Sequence, residues 1–174
     1  MRGRWLLYFG TSTMRTIKTI ICLFIVFLFS GCYIIPCGWD SDLQTIKGQV
    51  STNDLIGIYK LDERSKQVIP RYEKIYNSEI KLQENGRLVY KNILIGTFDC
   101  ERFYNNDNKL VKGTGKWSLD KKDAKTELFV ALDSTESFNG YSTSFRLYKK
   151  KDKYVIFIIV GDPDECLAAR FIKQ

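Results

Sequence analysis

A chain of 174 residues, 44% hydrophobic and 27% charged, has the size and balance of one folded domain, which excludes disorder as its default state. It contains no histidine, which removes Ser-His-Asp and Cys-His catalysis together with every histidine-containing zinc or iron site. The formal charge of +7 is partly a terminal effect: Arg2, Arg4, Arg15 and Lys18 precede Cys32 with no acid among them, leaving 23 basic against 20 acidic residues, too even a balance for a nucleic-acid binder.

The first predicted element is a targeting segment. From Met14 the chain has two cations, Arg15 and Lys18, then an unbroken apolar run from Ile20 to Phe29, then the small residues Ser30 and Gly31 before Cys32. This is the order of a signal peptide, with a charged start, an apolar middle and an accessible scissile bond after Gly31. Met14 alone gives a conventional signal length, so residues 1–13 read as an over-extended start. An uncleaved membrane helix is the rival, but spanning needs about 20 apolar residues and this run is shorter.

Phe29, Ser30, Gly31 and Cys32 resemble the lipobox of bacterial lipoproteins, with Phe29 standing where that family has an aliphatic residue. The resemblance implies a diacylglyceryl group, palmitate-like in its chains, on the Cys32 thiol, with cleavage between Gly31 and Cys32. It also implies sorting to the outer membrane, because Tyr33 replaces the Asp that retains lipoproteins on the inner one. Two or three acyl chains anchor far more durably than one, at about 0.8 kcal/mol per buried methylene.

Residues 32–54 carry Pro36, Gly38, Gly48 and several Ser and Thr residues without sustained periodicity, and read as a mobile, lipidated tether. Residues 55–174 read as one all-β domain: an up-and-down antiparallel barrel or half-barrel of about eight strands, separated by closely spaced turns. Strands are predicted over Ile56–Leu61, Glu79–Gln83, Arg87–Asn92, Gly96–Tyr104, Lys112–Leu119, Glu127–Asp133, Ser144–Lys150, Tyr154–Gly161 and Ala168–Ile172. A type I′ turn at Asn85-Gly86 is expected to join the second and third. The YVIFIIV run over Tyr154–Val160 is apolar at every position, as a strand buried on both faces requires. Pro70–Tyr76 is the one predicted helix, with Pro at its first position and Tyr72, Ile75 and Tyr76 along one side.

Candidate functional residues are few. Gly115, Lys116 and Trp117 resemble the Gly-x-Trp signature of lipocalins, whose Trp packs across one end of the barrel. In that family the motif lies on the first strand, whereas here it falls well into the domain. Trp117 and Phe157 are therefore the candidates for lining a ligand site or filling the core, since a barrel of about eight strands holds side chains or one small ligand. Cys22 leaves with the signal peptide and Cys32 takes lipid, so Cys37, Cys100 and Cys166 remain. Cys100 with Cys166 is the favoured disulfide, worth about 4 kcal/mol if unstrained, against free thiols. Asp162, Asp164 and Glu165 sit in a turn whose spacing does not match a calcium loop, so neither a metal nor any other cofactor is expected. The lysines at 149–151 and 153 read as a solvated turn, with an anionic partner as the alternative.

No pair of carboxylates stands out among 20 acids, so no enzymatic role is expected. The reading is an envelope lipoprotein whose β domain binds a small apolar molecule or a peptide. The alternative is an interaction, inhibitor or immunity-type protein with a filled core. Replacing Cys32 by Ala is expected to abolish incorporation of labelled palmitate and to leave a heavier, uncut precursor, which intact-mass spectrometry reads directly.

Overall fold

The computed structural model describes residue 38 and residues 41–69, 77–105, 109–122, 125–136, 139–162 and 167–174. Cys32, Gly31, Cys37, Cys166 and the predicted Pro70–Tyr76 helix lie outside these residues. The compact unit begins at Gly38 and runs to Gln174. Its strands are β1 (Gln44–Thr45), β2 (Gly57–Leu61), β3 (Glu79–Leu82), β4 (Arg87–Leu94), β5 (Leu110–Lys122), β6 (Lys125–Leu132), β7 (Tyr141–Lys150), β8 (Lys153–Ile159) and β9 (Ala168–Lys173).

Each strand from β2 to β9 pairs antiparallel with the next, and β2 returns to β9 through Tyr59↔Lys173 and Leu61↔Phe171. The result is a closed, up-and-down, eight-stranded barrel, and closure removes the long free edges that invite aggregation. The remaining strand, β1, pairs with β7 at Tyr148 and Lys149, where β6, whose pairing ends at Arg146, no longer covers that edge.

Alternation fills the interior. Ile80 and Leu82 on β3, Leu88 and Tyr90 on β4, and Leu128 and Val130 on β6 all point inward and are almost wholly buried, while Lys81, Lys91 and Phe129 face out. Both faces of β8 are buried, as its sequence predicts. Ile156 and Ile158 enter the main core, and Phe157 and Ile159 pack outside the barrel with Leu43, Tyr148 and Ala168.

Local structure departs from the sequence expectations at four places. In the β3–β4 turn only Gly86 has a positive φ, of 71°, and its N–H donates to the Gln83 carbonyl at 3.1 Å. Asn85 instead uses its side-chain oxygen to accept from Arg87 N–H, so the turn is a type I turn closed by a glycine bulge rather than type I′. Gly96–Tyr104 is not a strand. It forms a 3₁₀ turn (Ile95–Thr97) and a short helix, α3 (Cys100–Tyr104), because the Asp99 side chain accepts from Arg102 N–H as an N-cap. Two other helices also escape the sequence reading: α1 (Thr52–Leu55), opened by a Ser51/Asp54 capping box, and α2 (Glu63–Val68), capped by Asp62.

The segment read as the end of a mobile tether is folded onto the barrel from Ser41 onward. Val50 and Leu55 are core residues, and Ile46 packs against the same core. The Tyr59 hydroxyl donates to the Leu55 carbonyl at 2.7 Å, which ties α1 to the start of β2.

Candidate functional site

The barrel has two unlike ends. At one lie the tight β3–β4 and β7–β8 turns and the start of β2, and there Trp117 is 6% exposed, with its indole N–H donating to the Gln83 carbonyl at 3.1 Å. The glycines before it have a packing role. A Cβ on Gly113 would sit 2.5 Å from the Tyr90 hydroxyl, and one on Gly115 would sit 2.4 Å from the Ala131 carbonyl oxygen. The motif therefore lets an aromatic ring and a neighbouring strand approach β5 closely, and Trp117 seals the end above them.

At the opposite end the longer connections gather, and the segment that was expected to be a strand enters the barrel mouth. Ile95, Gly96, Thr97 and Phe98 are all buried. Phe98 meets Tyr90 edge-on at 5.5 Å and stacks on Phe145 at 6.3 Å, geometries that aromatic pairs favour. Gly96 allows α3 to lie against this plug, since a Cβ there would meet the Phe103 backbone at 2.8 Å. The Tyr104 hydroxyl accepts from Asp162 N–H at 2.6 Å and joins α3 to the β8–β9 connection. Burial, with the charge of Asp133 adding to it, pushes the Tyr90 phenol up to about 12, so it stays neutral at physiological pH.

Of the two candidate lining residues, Trp117 is an end seal of the interior and Phe157 lies outside it, beneath Leu43. Cys100 opens α3, while its proposed partner Cys166 is outside the described residues. No group of carboxylate and cysteine side chains suited to a metal occurs among the described residues.

The densest polar arrangement was not foreseen. Arg170 occupies an outward position on β9, yet it is completely buried. Its guanidinium meets Asp62 Oδ2 at 2.6 Å and is held by both oxygens of Asp42, at 2.7 and 3.2 Å. Asp62 also accepts from the Ser65 N–H and hydroxyl through Oδ1, and Ser65 Oγ accepts from Arg170 N–H. Asp42 is further paired with Lys150 at 2.8 Å and with Arg64 at 3.4 Å, and Arg64 donates to the Gly38 carbonyl at 2.7 Å. One cluster thus joins β9, α2, β7 and the first folded residues of the unit. Burial alone would favour a neutral guanidinium, but the hydrogen bond to Asp42 and the charge of Asp62 reverse this and raise its pKa.

Comparison with protein-family models, curated proteins and solved structures returns no match. No helix among the described residues is long and apolar enough to cross a membrane.

The hydrogen bond from Arg170 holds the Asp42 carboxyl well below the usual carboxylate range; its partial burial opposes this and Lys150 adds to it. Above about pH 5 the carboxyl is ionised whether folded or unfolded, and its contribution to stability is fully present. As pH falls below that, the unfolded chain binds the proton first and the contribution is progressively lost. Asp42→Asn is therefore expected to be less stable than wild type at neutral pH and to show a flatter loss of stability between about pH 4 and pH 2. Urea unfolding at a series of pH values checks both points.

Proposed function

We propose that the chain is a bacterial envelope lipoprotein, processed before Cys32 and bound through lipid to the outer membrane, whose barrel acts through its outer surface on an envelope partner. The observation that carries the second half is the plug. Phe98 occupies the barrel mouth against Tyr90 and Phe145, and Trp117 seals the other end. An apolar ligand needs a dry cavity, and a small barrel offers one only if its inward side chains leave space. Here Tyr59, Leu82, Leu88, Tyr90, Val130 and Phe171 meet in a single cluster. Among the described residues the molecule offers a groove of about 680 Å³ along β4, β5 and β6 beside Arg87, Lys116 and Phe129, and one of about 420 Å³ beside the plug that Phe98, Phe145 and Ile158 help to line. The anchor itself is supported by the residue order from Arg15 to Cys32.

The proposed interaction role has no catalytic component. It also needs no disulfide and no cofactor, so partner recognition would depend on the barrel wall and its turns.

Native mass spectrometry of the full chain released from detergent is expected to show only the mass of the polypeptide with its own acyl chains. A co-purifying apolar molecule retained at stoichiometric occupancy would restore the ligand-carrier reading.

A further inference from the structure

The lysines of the β7–β8 turn acquire a location from the Arg170 cluster. Lys149, Lys150, Lys151 and Lys153 lie in or beside this turn, whose two-residue loop is Lys151-Asp152, with Lys151 at φ 55°. Lys151 and Lys153 are exposed. Lys149 lies over the Tyr154 ring at 4.9 Å, and with Lys47 it lines a groove of about 430 Å³ floored by β1. The cluster of positive charge therefore combines two distant stretches of sequence, and β1 is what brings them together.

Acids do little to cancel it. Asp152 is at the tip and offsets one charge, while Asp42 is committed to Arg170, Lys150 and Arg64. Among the described residues, Lys47, Lys149, Lys151 and Lys153 supply four cations here and Asp152 one uncommitted acid.

Chain length decides what such a face can meet. Gly38 is bound by Arg64, Arg64 by Asp42, and Asp42 by Lys150, so Gly38 and the base of the lysine turn belong to one network. Only residues 33–37 separate Cys32 from Gly38. The six residue steps from Cys32 to Gly38 reach at most about 22 Å when fully extended. A lipid on Cys32 would thus hold this side of the barrel close to the bilayer, whatever path those residues take.

We propose that Lys47, Lys149, Lys151 and Lys153 form the face that the barrel turns toward its own membrane, where they bind anionic lipid headgroups. This rests on the lipid attachment proposed for Cys32. Lysine suits the role, because an ammonium group is a compact charge on a flexible stem that can follow mobile phosphates. A barrel docked in this way exposes the opposite wall, including the groove along β4, β5 and β6, to partners.

The test reconstitutes the full lipidated chain into two kinds of vesicle, one of pure phosphatidylcholine and one containing phosphatidylglycerol, and follows hydrogen exchange in the β7–β8 turn. On anionic vesicles the turn is expected to exchange at least about fivefold more slowly, since each lysine near a charged surface favours the docked state by about a factor of five. High salt should erase the difference, and so should replacing the four lysines by serine, with flotation of the chain unchanged. Equal exchange on both vesicles in a chain that floats with both would overturn the lysine face and leave the anchor intact. A chain that floats with neither would remove the anchor and this proposal together.

Discussion

A fully buried guanidinium governs how this molecule is assembled. Arg170 stands on the outer wall of β9, where a strand in a solvated barrel would normally present its side chain to water. Removing that charge from water costs several kcal/mol, and the cost is met only when carboxylates and hydrogen bonds surround it. Asp62 and Asp42 supply them, one from the cap of α2 and the other from the residues just before β1. Buried pairs of this kind add little net stability compared with apolar residues, but breaking one costs about 3–5 kcal/mol. Their effect is selective: alternative paths for residues 41–47 would leave Arg170 short of a partner.

The path so chosen has structural consequences beyond the cluster. It lays Leu43 over Phe157 and Tyr148 and delivers Gln44 and Thr45 to the edge of β7 that β6 leaves bare. It then carries Val50 and Leu55 into the core beside the start of β2. The barrel is therefore closed by hydrogen bonding around its wall, at one end by α1 and Trp117, and at the other by the plug around Phe98. Its aromatic residues Tyr90, Phe98, Phe145 and Trp117 are engaged in packing, and the proposed surface role rests on that observation.

Much of the wall was legible in the sequence, because alternation is a local property. Ile80 and Leu82 between charged neighbours specify a half-solvated strand, and Glu84-Asn85-Gly86 ends it, although the turn type depended on Asn85 preferring to accept from Arg87. The YVIFIIV run announced burial on both faces, but its outer cover, Leu43, is far away in sequence and could not be read from it. Gly96–Tyr104 misled because Phe98, Phe103 and Tyr104 resemble strand residues. Asp99 three positions before Arg102 was the available sign of a helix start, as was Asp62 before Ser65. The Asp42–Arg170 pair had no such sign. Its partners are 128 positions apart, and nothing in β9 itself marks Arg170 as buried rather than exposed. Trp117 could be singled out from its glycines, whereas the reason for those glycines, the Tyr90 ring and the Ala131 carbonyl, appeared only in three dimensions.

The central claim is that the Arg170 cluster makes residues 41–47 part of the barrel. Native-state hydrogen exchange of β1 in the full chain tests it most directly, because the N–H that this two-residue strand directs at β7 is protected only while Gln44 and Thr45 pair with Lys149 and Tyr148. The account predicts slow exchange in β1 that becomes fast when Arg170 is replaced by Met, while β3–β6 stay protected. Exchange in wild-type β1 at the rate of an unstructured peptide would contradict it.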